Sequence, residues 1–158
     1  MAIIRCVLRG FPSRPFVSTW IKVEGCQGRP VNFLIDTGSA YSFLSPNDAV
    51  SFGLIVGKLP RPSAPQYISS IGGAIPNCDL GMIDNYNAKF LTEHSWYELM
   101  NEQDDKLLVI KQDHGYKLPS ILGVDFLTRH GLRLVLDNKR NFVELRTGSE
   151  DIRAQDFN

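Results

Sequence analysis

The sequence predicts an all-β domain, and two observations predict it. Apolar residues fall in short runs of Val, Ile, Phe and Leu punctuated by Gly, Pro, Asn and Asp, and only two short pieces carry helix-start signals. Runs of this length suit strands of four to eight residues better than helices, which need a longer periodic stretch.

Taken in chain order, strands are expected over 3–8, 16–23, 31–35, 67–71, 74–79, 88–92, 107–111, 132–136 and 142–146. Residues 24–29, with Gly25 and Gly28, read as a hairpin loop, and 137–140 read as another. A short helix is expected to begin at Ser45 as N-cap, with Pro46 at its first position, and to run to about Phe52. The run LPRPSAP over 59–65 holds too much proline for regular structure and reads as a surface connection. Residues 93–106 are acidic and mixed, and read as a helix or a long loop. A second helix is expected from Val124, through Phe126, Leu127 and His130, to its end at Gly131.

With 158 residues, of which 43% are hydrophobic, the chain can build one real core, so a single domain is expected over 1–158 with its core at 16–146. Seventeen basic residues balance seventeen acidic ones, which leaves no field to draw the chain to nucleic acid or to an anionic membrane. Cys6, Cys26 and Cys78 are odd in number and widely spaced, so free thiols in a reducing compartment are expected. The opening seventeen residues are interrupted by Arg5 and Arg9 and resemble neither a signal core nor a span, and the reading is cytoplasmic.

The informative segment is Val31-Asn32-Phe33-Leu34-Ile35-Asp36-Thr37-Gly38-Ser39-Ala40, an apolar strand that runs straight into an Asp-Thr-Gly turn. A carboxylate at the end of such a strand persists only if N–H groups and hydroxyls hold it, and Gly38 and Ser39 are suited to offer them. Asp36 admits two readings at this point. It is either a reactive acid or a turn residue that bonds its own backbone two residues on.

Two further segments bear on the choice. Ile68-Ser69-Ser70-Ile71-Gly72-Gly73-Ala74-Ile75 reads as a hairpin with a glycine tip, either ordinary or a flap that closes over an extended substrate. Pro119-Ser120-Ile121-Leu122-Gly123 is an apolar run that ends in a glycine, where another backbone can approach, and turns at once into the second helix. Asp125, in the first turn of that helix, is expected to be structural because the free N–H groups there stabilise an acid.

The order apolar-Asp-Thr-Gly, Gly-Gly hairpin, Ile-Leu-Gly-helix resembles the retroviral-type, or retropepsin-like, aspartic proteases and their cellular relatives. The resemblance runs from about Phe16 to Arg146, is specific at 34–39 and 121–127, and is poor over 80–117, where an insertion is expected. It implies a closed β-barrel with one α-helix in the C-terminal half, and a homodimer, because the triplet occurs once and the family's chemistry uses two carboxylates. It implies an aspartic endopeptidase with Asp36 as catalytic acid/base, Thr37 bracing the two loops across the dimer axis, and Gly38 presenting its N–H to the carboxylate. Ser70, Ile71, Gly72, Gly73, Ala74 and Ile75 would form the flap, Ile121, Leu122 and Gly123 would support the site, and a polypeptide would bind as an added strand. No metal and no cofactor are implied.

Ser39 stands where viral enzymes commonly carry alanine, and its hydroxyl is expected to donate to Asp36 and lower the working pH. His94, His114, His130, Trp20 and Trp96 read as surface or packing residues. Neither Gly-x-Ser-x-Gly nor a Cys with a recognisable His motif occurs, so serine and cysteine protease readings lack support. The rival from another class is a dimerisation or peptide-binding module that keeps this fold without useful turnover.

Overall fold

The structure, a computed structural model, describes residues 2–70, 73–92, 95–99, 106–113 and 117–148. Its organising strands are β3 (Arg14–Val23) and β4 (Arg29–Ile35), which pair antiparallel with Phe16 opposite Leu34 and Ile21 opposite Arg29. Alternation decides the faces. Val17, Thr19, Ile21 and Val23 point inward while Ser18, Trp20 and Lys22 face solvent, as a strand buried on one side requires.

The end of β4 breaks this rule informatively, because Phe33, Leu34 and Ile35 are all buried. Phe33 and Ile35 join the main core with Val17, Leu44, Phe90 and Leu122, whereas Leu34 joins a second cluster with Phe43, Ile68, Ile75, Leu80 and Ile121. The strand that leads to Asp36 is thus covered on both faces.

The remaining strands in chain order are β1 (Ile3–Arg5) and β2 (Val7–Arg9) before β3, then β5 (Phe43–Leu44), β6 (Tyr67–Ser70), β7 (Gly73–Pro76), β8 (Leu80–Ile83), β9 (Tyr86–Leu91), β10 (Trp96–Leu99), β11 (Leu107–Ile110), β12 (Ser120–Leu122), β13 (Arg133–Asp137) and β14 (Phe142–Arg146). The large sheet runs β10-β9-β3-β4-β12-β5-β11-β8, with β2 also on β3. A second sheet runs β1-β14-β13, and β6 pairs with β7 in a two-stranded hairpin.

The expected closed barrel does not form. Closure requires the two terminal strands to hydrogen-bond, yet among the described residues β8 pairs only with β11 and β10 only with β9, so the large sheet is a half-barrel. Its interior is completed by other elements: Ile4 of β1, Leu145 of β14, and Phe126 and Leu127 of the second helix all join the main core. Phe126 meets Phe90 edge to face, with ring centroids 6.1 Å apart.

Both short helices form: α1 (Pro46–Ser51) starts on Ser45, whose hydroxyl accepts from Asp48 N–H, and α2 (Val124–Arg129) follows Gly123. Several segments differ from expectation. Trp96–Leu99 is a strand rather than a helix or loop, because pairing with β9, Trp96 opposite Leu91 and Tyr97 opposite Phe90, outweighs its acidic surroundings. The strand expected over 74–79 stops at Pro76, and Asn77–Asp79 form a 3-10 turn. Phe43–Leu44 and Leu80–Ile83, too short or too poorly bounded to stand out, become an interior strand and an end strand of the large sheet, respectively. All three cysteines are free, and among the described residues no helix is long and apolar enough to cross a membrane.

Candidate active site

Side chains two apart on a strand share a face, so Asp36 emerges on the side of Leu34, toward the second cluster rather than the main core. Its carboxylate is half-buried, and Oδ1 accepts from Gly38 N–H at 2.9 Å. That bond is the geometry of a turn residue, and it is also the donor arrangement that holds a reactive carboxylate. The surroundings separate the two.

The loop 36–42 is fixed to the chain around Gly123 at several points. Asp36 N–H donates to Leu122 O at 3.0 Å, and Val124 N–H donates to Ser39 O at 2.8 Å. Strand β12 lies between β4, to which it is parallel with Ile121 opposite Leu34, and β5, to which it is antiparallel. At Gly123 a Cβ would lie 2.6 Å from Ser39 O and 2.7 Å from Tyr41 O, so only glycine admits this approach.

Ser42 locks the junction. Its hydroxyl accepts from Gly123 N–H at 2.8 Å and donates to Asp125 Oδ1 at 2.7 Å, while its own N–H reaches Asp125 Oδ2 at 3.2 Å. Asp125 also accepts from Phe126 N–H at 2.7 Å, so its carboxylate is committed to structure, as expected. Behind this, buried Ser120 accepts from Ser45 N–H at 2.9 Å and donates to Asp48, tying β12 to α1.

Above the loop lies a cleft of about 360 Å³, lined by Asp36, Gly38, Ser39, Ser69 and Arg14 and by the apolar side chains of Leu34, Phe43, Leu118, Pro119 and Ile121. The β6–β7 hairpin stands over it, with Ser69 opposite Ala74 and Ser70 opposite Gly73. Gly73 has φ +114, a conformation that side chains rarely adopt, as the glycine tip predicted. Ile68 and Ile75 are buried in the second cluster, so Ile75 anchors the hairpin while Ala74 is exposed.

Of the residues singled out from sequence, Asp36, Thr37, Gly38, Ser39, Ile121, Leu122 and Gly123 are brought together. Ile71 and Gly72 lie outside the described residues, as does the side chain of Ser70. Thr37 is exposed, beside Ala40, Val124 and Thr128 in a shallow depression. One expectation is corrected: the Ser39 hydroxyl donates to Tyr41 O at 2.7 Å, not to Asp36, because the loop turns it toward that carbonyl.

Sequence reasoning missed Ser42, Asn77 and Arg14. Asn77 is buried under the hairpin; its Nδ2 donates to Pro62 O at 2.8 Å and Pro65 O at 2.7 Å, its Oδ1 accepts from Arg61, and its N–H donates to Gln66 O. A proline-rich run lacks N–H groups but leaves carbonyls, so a nearby amide to bind them was the available signal.

An Asp-Thr-Gly loop at the end of an apolar strand, braced by an Ile-Leu-Gly strand and helix and facing a cleft under a hairpin, is the arrangement of the retropepsin-like fold. A retropepsin-like aspartic protease from Rickettsia conorii shares that fold with a TM-score of 0.50 and 16% identity, over 90% of this chain and 86% of that one. EIAV protease complexed with the inhibitor HBY-793 aligns at 20% identity and TM-score 0.48 over 82% of this chain and 100% of that one. The retroviral protease-like domain of Ddi1 from Leishmania major aligns at 14% and 0.44 over 87% and 98%. No curated protein matches the sequence. Residues 21–126 match the family described as aspartyl protease, and the chain belongs to that family.

Proposed function

We propose that the chain is an aspartic endopeptidase, one domain per copy, that works as a homodimer in which each copy supplies Asp36. The observation that carries this reading is the position of Asp36: the triplet occurs once, and its carboxylate, held by Gly38 N–H, opens into an apolar cleft beneath a hairpin. A turn residue has no use for a cleft. The exposed depression of Thr37, Gly38, Ala40, Val124 and Thr128 offers a second copy a surface continuous with the loop.

Two carboxylates brought within a few ångströms cannot both ionise easily, so the pair retains one proton over a working pH range. The ionised member takes a proton from a water, whose oxygen attacks the scissile carbonyl, and the protonated member donates to the carbonyl oxygen. Collapse of the resulting diol returns a proton to the leaving amine. The substrate lies extended between the loop and the hairpin, apolar side chains seated on Leu34, Phe43 and Ile121. The three free thiols suit a reducing, cytoplasmic setting.

The test is cleavage of a peptide library by the parent and by Asp36→Asn, with and without a pepstatin-type inhibitor, and with dimer content measured for each. Cleavage should follow a bell against pH, be blocked by the inhibitor and vanish in Asp36→Asn. That variant should remain dimeric and be no less stable, since the strain between like charges is gone. A dimeric Asp36→Asn that cleaves as fast as the parent would falsify the assignment.

A further inference from the structure

Among the described residues, the lining of the cleft holds one cation, Arg14. Arg14 opens β3, and the register that sets Phe16 opposite Leu34, continued two residues past the last pair, brings position 14 opposite position 36. Arg14 and Asp36 line the same cleft, yet Arg14 is exposed and its side chain makes no ion pair or hydrogen bond among the described residues. A guanidinium stays charged throughout the working range, so the rest of this largely apolar wall is read against a fixed positive charge.

We propose that Arg14 makes the cleft select extended peptides bearing an acidic side chain two positions from the apolar residue seated on Leu34, Phe43 and Ile121. This rests on the proposed peptide-binding role of the cleft and adds a substrate class to it. In an extended chain alternate residues project to one face, and two positions is the shortest spacing that lets the apolar anchor and the acid enter the cleft together. The planar guanidinium can meet a carboxylate with two parallel hydrogen bonds, a match that an amide or an ammonium does not provide.

Among the described residues, nothing in the adjoining segments neutralises Arg14 first. Residues 37–41 carry no acid, so a second copy packed through this loop brings no carboxylate from it. Asp125, the nearby acid, is held by Ser42 and Phe126. Asp36 is the remaining anion of the lining, and it forms no ion pair with Arg14.

The experiment uses three peptides with a reduced, uncleavable bond that differ only in Glu, Gln or Lys two positions from an apolar anchor, together with their cleavable counterparts. Binding to the full chain is titrated calorimetrically at low and high salt, for the parent, Arg14→Gln and Arg14→Glu. The parent should bind the Glu peptide about tenfold more tightly than the Gln peptide, with the gap narrowing in salt. Arg14→Gln should erase the gap, and Arg14→Glu should favour Lys. Equal affinities in the parent, a preference for Glu that survives Arg14→Gln, or no binding of any peptide overturns the proposal. Preference without cleavage of the matched substrates rejects the protease and keeps Arg14's role. Cleavage without preference does the reverse.

Discussion

Replacing Gly123 with alanine tests the junction on which the site depends. The added Cβ would sit 2.6 Å from Ser39 O, 2.7 Å from Tyr41 O and 2.8 Å from Tyr41 C, whereas ordinary contact begins at 3.4 Å. All three atoms are backbone, so no side-chain rotation relieves the clash, and loop 36–42 must withdraw by about 0.8 Å, the difference between the 2.6 Å approach and ordinary contact. Overpacking of this kind costs about 1–3 kcal/mol. Withdrawal also stretches the Val124 N–H to Ser39 O bond, worth about 1 kcal/mol. The expected loss is therefore about 2–4 kcal/mol, which for a chain of this size lowers Tm by roughly 4–16 °C. Because the same loop carries Asp36, a shift approaching 1 Å should also reduce peptide cleavage on the order of a hundredfold. Thermal and urea unfolding measure the first effect, and a reporter peptide measures the second. Gly57→Ala is the control, since its Cβ meets nothing within 4 Å and its φ is ordinary; it should be neutral or slightly stabilising. If Gly123→Ala melts with the parent, the loop yields freely and the bracing argument fails.

Two other outcomes follow from single side chains. Ser39→Ala should leave the pH–rate profile in place while lowering the urea midpoint by the equivalent of about 1 kcal/mol, because the lost bond is to Tyr41 O rather than to Asp36; an upward shift of the profile would show that the hydroxyl serves the carboxylate instead. Burial, with a smaller contribution from the Glu144 charge, pushes the Cys6 thiol up from 9.0 to about 12. In the unfolded chain the thiol ionises first, so stability should hold below pH 9 and fall as pH rises toward about 12. At pH 8 a thiol reagent should modify exposed Cys78 well before half-buried Cys6, and equal rates would contradict the raised Cys6 thiol.

The sequence carried the site's backbone clearly and its side-chain partners poorly. Asp36 and Gly123 were legible because each sits where an apolar run meets a residue that local rules single out, a carboxylate at a strand end and a glycine before a helix. Ser42 was not, since its value lies in meeting Gly123 and Asp125, eighty-odd positions away in the chain. Strand β10 was hidden for the same reason: Trp96–Leu99 is held by pairing with Tyr86–Leu91, and local charge pointed elsewhere. The barrel expectation came from resemblance, and no local pattern reports whether two end strands will meet. Ser39 shows the opposite limit, where a residue was correctly placed and its hydrogen bond was assigned to the wrong acceptor.

Strands β4 and β5 are neighbours in sequence, but β12 lies between them. During synthesis the Asp36 loop therefore emerges long before the strand that fixes it: some eighty further residues must leave the ribosome before Leu122 can accept from Asp36 N–H and Gly123 can receive Ser39 and Tyr41. Until then β4 and β5 lack the strand that lies between them, and bringing it in closes a long loop at an entropic cost. A nascent or truncated chain ending before Ser120 holds the triplet without its brace. The order of synthesis therefore separates the acid from its brace: Asp36 is present in the chain well before the residues that fix its loop.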